Sequence, residues 1–136
     1  GGLARALNAT IVLISVCERP SGYADTDYGW EVPEDAYLVV HDAMSVAAHR
    51  VLDAAAGLAS LSGLTVSKEV VDARTASEGI LSAAQEHRAD LIVMGSHGRR
   101  GLERLLLGSQ AARVLAVSTV PVLVVKDDSG SVELSR

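Results

Sequence analysis

The chain has 136 residues, of which 49% are hydrophobic, and a formal net charge of −5. The acidic excess argues against a nucleic-acid-binding module, because binding a phosphate backbone requires a basic face. The apolar stretches fall far short of the ~20 residues needed to cross a bilayer. We therefore expect one compact cytoplasmic domain over residues 1–126 that binds neither nucleic acid nor membrane, followed by a polar tail over residues 127–136.

The first third of the chain predicts a strand, a long loop and a long helix. Residues 10–16 form a β-branched run that is apolar at nearly every position, as expected for a parallel strand covered on both faces. Residues 18–33 have loop composition, and a connection of this length often forms a lid or an interaction loop. From residue 34 to residue 60, apolar residues recur at spacings of three, four and seven, which predicts an amphipathic helix that ends near Gly63.

The rest of the chain continues this alternation. Thr75 followed by Glu78 matches a capping box, which predicts a helix start at that point. The predicted elements are a strand over residues 64–71, a helix over 75–88, a strand over 90–94, a helix over 109–117 and a strand over 120–125. The alternation of strands and helices predicts an α/β fold, a doubly wound parallel sheet with helices on both faces.

A glycine-rich loop follows the strand predicted over residues 90–94. Gly95 and Gly98 are separated by two residues, and nine residues separate Gly98 from Gly108, which Ser109 follows. Open parallel sheets bind ligands beyond the carboxyl ends of their strands, and the start of a helix favours an anion. We therefore expect a phosphate site here, with Ser109 capping the helix and reaching a phosphate.

Two better-known phosphate motifs do not fit this loop. A P-loop needs a lysine and then Ser or Thr directly after its last glycine, and no lysine precedes Ser109. The dinucleotide fingerprint needs a second glycine two positions after the first, but here Gly98 lies three positions after Gly95. Taken alone, such a glycine pair is more often a turn followed by a helix start.

The strand and loop together resemble the ATP-binding members of the universal stress protein family. The resemblance lies in the sequence Ala-Asp-Leu-Ile-Val-Met-Gly-Ser-His-Gly over residues 89–98, in the glycine spacing, and in the Ser-Thr-Val-Pro entry over residues 118–121. It spans most of the chain. It implies a three-layer sandwich of the flavodoxin-like or adenine nucleotide alpha hydrolase-like type. It also implies that this fold binds ATP, ADP or AMP, with or without Mg²⁺.

The resemblance also implies a set of binding residues. It places Val16 and Met94, at two strand ends, beside the adenine. Inside the loop, His97 and Arg99 can approach a triphosphate. An arginine in a loop is, however, more often exposed to solvent than bound to a ligand. The residues that it places around the phosphates and the ribose are Gly95, Gly98, Gly108, Ser109 and Gln110.

The family's first strand, which carries an aspartate on the adenine side, has no counterpart in this chain. Residues 1–7 look like the end of the helix that follows it. In the strand order 2-1-3-4-5 that strand lies between the strands predicted over residues 10–16 and 90–94. We therefore expect two separate pairs of strands, and a natural protein with a further N-terminal segment. A strand from a neighbouring chain is the alternative.

The resemblance implies a stress-response protein in which the nucleotide is a conformational signal. The strand over residues 120–125 invites pairing with its copy in a homodimer. No catalytic base is evident, so at most weak ATPase activity is expected. Two alternatives stay open: a slow ATP hydrolase that uses the same loop, and a nucleotide-free dimeric adaptor.

Other candidate sites are weaker. His41 and His49 are eight residues apart, too far for paired ligands one helical turn apart. Asp25 and Asp27 lack the glycine and the distal glutamate of a calcium loop. Cys17 is expected to be a small buried residue rather than a nucleophile. We therefore expect no metal site.

Overall fold

The computed structural model describes residues 2–19, 33–96 and 107–125. Its elements in chain order are α1 (Gly2–Ala6), β1 (Ile11–Glu18), α2 (Glu34–Leu61), β2 (Val66–Ala73), α3 (Ala76–Glu86), β3 (Ile92–Gly95), α4 (Ser109–Val117) and β4 (Val122–Val125). Every predicted helix and strand is confirmed. The chain divides into two compact units, Gly1–Ala83 and Ala84–Arg136. Across the described ranges, no helix is long and apolar enough to cross a membrane.

Both strand pairs are parallel. β1 pairs with β2 from Ile11 opposite Val66 onward, and β3 pairs with β4 from Ile92 opposite Val122 onward. In the part of the chain that the structure describes, these pairs are two separate two-stranded sheets. They are the two pairs of strands expected when the central strand of the order 2-1-3-4-5 is absent. The α/β class and the parallel pairing are confirmed.

Helices cover both faces of the β1–β2 sheet. α2 contacts both strands on the face that carries Asp72, whose carboxylate meets His41 of α2. Successive residues of a strand point to opposite faces, so Val16 and Cys17 of β1 face different helices. Val16 lies against Gly79 of α3. This is the doubly wound arrangement that the alternation of elements predicts.

The core of the first unit lies mainly between α2 and the sheet. Leu52 and Ala48 of α2 are 3% and 2% exposed, and Cys17 of β1 is 2% exposed. Burial of a leucine side chain stabilises a fold by about 1.5–3 kcal/mol. The burial expected for Cys17 is confirmed.

A shared capping motif explains where two strands begin. Gly63 has φ of +70°, and Leu64 donates its N–H to the carbonyl of Ala59 over 3.2 Å, which closes the end of α2. Arg88 ends α3 in the same way with φ of +51°, and Ala89 donates to Ala84 over 2.8 Å. These amides cap helices, and β2 and β3 each begin two residues later than the sequence predicts.

The N-terminus of α3 has the predicted cap. The N–H of Glu78 donates to Oγ1 of Thr75 over 3.3 Å, as in a capping box. The carboxylate of Glu78 also accepts from Arg74 over 2.7 Å, and this contact raises the pKa of the Arg74 guanidinium. Ser77, in the first turn, is fully buried. The local signal at Thr75 therefore predicted this helix start correctly.

In the second unit, α4 packs on the β3–β4 sheet. Val114 is fully buried, Ala111 is 2% exposed, and Ile92 of β3 is 7% exposed. After α4, the hydroxyl of Ser118 donates to the carbonyl of Val120 over 2.7 Å and orders the turn into β4. This packing fixes the start of α4 relative to the end of β3.

Candidate functional site

The candidate site begins where β3 ends. The N–H of Ser96 donates to the carbonyl of Val125 over 2.9 Å, so the ladder between β3 and β4 extends one residue beyond Gly95. Ser96 is only 3% exposed. The glycine loop therefore leaves the sheet from an anchored, buried serine at its carboxyl end, the edge at which open parallel sheets bind ligands.

The glycine loop returns to the same serine. The N–H of Gly108 donates to the carbonyl oxygen of Ser96 over 2.7 Å, which brings the two ends of the loop together. The carbonyl of Gly108 in turn accepts from Ala112 over 2.9 Å, the first hydrogen bond of α4. The start of α4 is thereby fixed beside the end of β3.

Gly108, and not Ser109, is the N-cap of α4. Gly108 has extended geometry, with φ of −70° and ψ of 156°, and no side chain caps the helix. Ser109 is the first helical residue and its side chain is exposed. The prediction that Ser109 caps the helix is wrong, because the chain turns into the helix at Gly108, one residue earlier.

The start of α4 has the electrostatic character that an anion needs. The N–H groups in the first turn of a helix point out of its N-terminus, where the helix dipole is positive. Ala111 and Val114 anchor this turn in the core, while Ser109 remains exposed. A rigid, partly positive helix start at the carboxyl end of a strand can hold a phosphate without a lysine.

The predicted site residues fall into three groups. Gly95, Gly108, Ser109 and Gln110 lie at the junction of β3 and α4, and Met94 precedes them on β3 on the same face as buried Ile92. Val16 belongs to the other unit. The predictions for His97, Gly98 and Arg99 lie outside the described residues.

Val16 has a packing role that the sequence does not indicate. A Cβ on Gly79 would lie 2.7 Å from both Cγ atoms of Val16, so α3 sits directly on this side chain. Arg19, three residues later, donates its N–H to Ala73 of β2 over 2.8 Å. Backbone groups alternate along a strand, so the N–H and C=O of Val16 point away from β2. In the described residues no other strand pairs with that edge.

The remaining candidates have structural partners. His41 contacts Asp72, and Nδ1 of His49 lies 2.8 Å from the carbonyl oxygen of Ser45. Over residues 2–19, 33–96 and 107–125, no three His, Cys, Asp or Glu side chains gather as metal ligands. Asp25 and Asp27 lie outside those residues.

Sequence reasoning missed two features. It treated Ser96 as a spacer between glycines, and only its position directly after an apolar strand could have indicated burial. It also missed the pairing of His41 with Asp72, which are 31 residues apart and have no local signal in common.

The sequence pattern of the Universal stress protein family matches residues 2–126. The chain belongs to this family. Universal stress protein MJ0531 of Methanocaldococcus jannaschii is 48% identical over 64 residues, which are 47% of this chain and 37% of that relative. The matched segment thus spans little more than a third of this curated universal stress protein.

Solved structures of universal stress proteins share the fold. A member from Burkholderia pseudomallei is 28% identical, with a TM-score of 0.67 over 91% of this chain and 79% of its own. The protein MJ0577 is 25% identical, with a TM-score of 0.74 over 89% of this chain and 78% of its own. The flavodoxin-like architecture that the resemblance implies is therefore confirmed.

Proposed function

We propose that this universal stress protein binds an adenine nucleotide, ATP, ADP or AMP, and uses it as a conformational signal in the cytoplasm. The observation that carries the proposal is the 2.7 Å hydrogen bond from Gly108 to Ser96. It closes a loop whose glycine spacing resembles that of the ATP-binding members of the family. The joined ends of the loop lie beside a helix start, which favours the binding of phosphates.

The phosphates would bind at the start of α4. Gly95 and Gly108 have no side chains to block a close approach of the backbone to phosphate oxygens. The exposed hydroxyl of Ser109 is available as a donor in the same turn. His97, Gly98 and Arg99 remain proposed contacts. Mg²⁺ would enter with a triphosphate, because it is commonly bound through substrate phosphates.

The adenine would bind at strand ends. The N–H and C=O of Val16 point from the edge of β1 that is not paired with β2, which follows from the hydrogen bond of Arg19 to Ala73. The N–H of Val16 can donate to a ring nitrogen of adenine, and its C=O can accept from the amino group. Both adenine groups lie on the Watson–Crick edge of the base. Val16 would thus contact adenine through its backbone. Met94 remains a contact that the family resemblance implies.

Calorimetric titration of the chain with ATP, ADP, AMP and GTP tests this proposal. We expect adenine nucleotides to bind more tightly than millimolar. Replacing Ser109 with Ala should weaken ATP binding about tenfold, because a hydrogen bond to a charged group contributes about 1.5–3 kcal/mol. Ser82→Ala, at an exposed position of α3, is the matched control and should leave binding unchanged.

Two results would support other functions. ATP affinity weaker than millimolar would favour a nucleotide-free adaptor. Phosphate release that disappears in a Gly98→Ala variant would favour the slow hydrolase, because the same loop would then position the triphosphate for reaction.

We also propose that the protein is a homodimer that pairs through the outer edge of β4. Leu123 and Val125 are 43% and 51% exposed. Ser96 donates to Val125, so alternation directs the N–H of Val124 away from β3. Val124→Pro should therefore abolish the dimer in analytical ultracentrifugation while β3–β4 pairing persists. A dimer unchanged by this variant would exclude this edge as the interface.

A further inference from the structure

In their neutral form, two histidines of α2 are held in opposite tautomers. Nε2 of His41 lies 3.0 Å from Oδ1 of Asp72. A carboxylate only accepts hydrogen bonds, so Nε2 carries the proton and Nδ1 carries the lone pair. Nδ1 of His49 lies 2.8 Å from the carbonyl oxygen of Ser45, so this ring has its proton on Nδ1 and its lone pair on Nε2.

The His41 ring is held on two sides and still reaches solvent. Its side chain is 28% exposed and that of Asp72 is 43% exposed. The ring of Tyr37, one turn earlier in α2, has its centroid 5.7 Å from that of His41 with a tilt of 30°. No hydrogen bond reaches Nδ1 from the described part of the chain. In its neutral form the anchored ring thus presents Nδ1 with its lone pair.

A carboxylate on the opposite nitrogen strengthens an imidazole as a nucleophile. The carboxylate fixes the tautomer, and it stabilises the cationic ring that forms when the other nitrogen makes a bond. Asp72 is one residue from the end of β2, so the pair lies near the carboxyl end of the β1–β2 sheet. In this position Nδ1 of His41 can act as a nucleophile towards small electrophiles that arrive from solvent.

We propose that His41 accepts a phosphoryl group on Nδ1 from small activated phosphates, the class of acyl phosphates and phosphoramidates. The lone pair of Nδ1 attacks phosphorus and forms a nitrogen–phosphorus bond. The bond from phosphorus to the leaving group breaks, and its electrons leave with a carboxylate or with ammonia. Nδ1 has no proton to lose, and the proton on Nε2 stays in the hydrogen bond to Asp72.

The reaction at His41 is separate from nucleotide binding and does not depend on it. The phosphoryl donor needs no nucleotide site. His41 and Asp72 belong to α2 and β2, and neither lies in the glycine loop. Failure of ATP to bind would leave the reaction at His41 intact. Failure of His41 to react would likewise leave the proposed nucleotide site untouched.

The test is to incubate the full chain with potassium phosphoramidate and follow the mass of the intact protein. We expect one phosphoryl group, located on His41 by tandem mass spectrometry and on Nδ1 by ³¹P NMR. Asp72→Ala should slow the reaction about tenfold, the smallest effect typical of losing a partner that orients a histidine. It should also redistribute phosphate towards Nε2.

Two controls separate nucleophile activation from a structural effect. Asp53→Ala removes a second ion pair between α2 and β2, with Lys68, and should leave the rate at His41 unchanged. His49, whose Nδ1 lies against the carbonyl oxygen of Ser45, is the internal reference for an ordinary histidine of the same helix. The proposal would be overturned if no phosphate formed on His41, or if phosphate formed on its Nε2. It would also be overturned if His41 reacted at the same rate as His49 and Asp72→Ala did not change that rate.

Discussion

The N–H of Gly108 and the carbonyl oxygen of Ser96 are 2.7 Å apart, although eleven residues separate them. This hydrogen bond joins the end of β3 to the start of α4. Ser96 is buried, so its carbonyl has little access to water as a substitute partner. This backbone contact therefore helps to fix the geometry of the proposed phosphate site.

Gly108→Pro should test this contact selectively. Proline fits the observed φ of −70° at Gly108 but has no N–H to donate. We expect it to lower the free energy of unfolding by about 0.5–1.5 kcal/mol, the net contribution of a typical hydrogen bond. Gly108→Ala, which keeps the N–H, should lose less. Urea unfolding monitored by circular dichroism measures both, and equal losses would contradict the role of the hydrogen bond.

Gly79 should tolerate no side chain while Val16 is present. A Cβ at this position would lie 2.7 Å from both Cγ atoms of Val16 and 3.3 Å from Cβ of Ala73. We expect Gly79→Ala to lower the free energy of unfolding by about 1–3 kcal/mol through overpacking, despite the better helix propensity of alanine.

A double-mutant cycle with Val16→Ala provides the control for Gly79. Removing both Cγ atoms opens the space that the new Cβ needs, so the loss caused by Gly79→Ala should shrink when Val16 is already alanine. Additive losses in chemical denaturation would show that the two residues do not share this contact.

Backbone amides of β1 should exchange in two classes. The amides of Leu13, Ser15 and Cys17 point towards β2, whereas that of Val16 points to the open edge. Hydrogen–deuterium exchange followed by NMR should show slow exchange for the first class and fast exchange for Val16. Added ATP should slow Val16 if its backbone contacts adenine. Equal protection without nucleotide would instead show that a further strand pairs with this edge.

The Asp53–Lys68 pair should make a small, pH-dependent contribution to stability. Lys68 donates to Asp53 over 2.5 Å, and this hydrogen bond, with the charge of Lys68, holds the pKa of the Asp53 carboxyl below its ordinary value. A carboxyl whose pKa is lower in the folded state stabilises the fold above its unfolded pKa. That contribution is lost as pH falls through the folded pKa.

Asp53→Asn should therefore be slightly less stable than the parent chain near neutral pH. The effect should be small, because the two side chains are 46% and 63% exposed and solvent screens the charges. The difference between variant and parent should vanish as the solution is acidified through the pKa of Asp53. Urea titrations at several pH values measure it, and a difference that persists in acid would contradict the ion pair as its source.

Local signals predicted the elements better than their boundaries. The capping box at Thr75 and the helix over residues 109–117 agree with the structure because each depends on contacts within a few residues. The starts of β2 and β3 were both predicted two residues too early. Leu64, the predicted first residue of β2, donates to the preceding helix instead, and Ala89 does so just before the predicted start of β3. The residue with positive φ is Gly63 before β2 and Arg88 before β3. Glycine often adopts a positive φ, but an arginine in the sequence does not indicate one.

By itself the sequence determined the alternation of strands and helices, the glycine spacing and the family resemblance, because periodicity and short motifs are properties of neighbouring residues. Only the tertiary structure decided that Gly108 bonds to Ser96, that Val16 packs beneath Gly79, and that His41 meets Asp72. Each of these contacts joins residues brought together by strand register and helix packing. Their chemistry therefore depends on where the fold places them, which residue type and spacing do not determine.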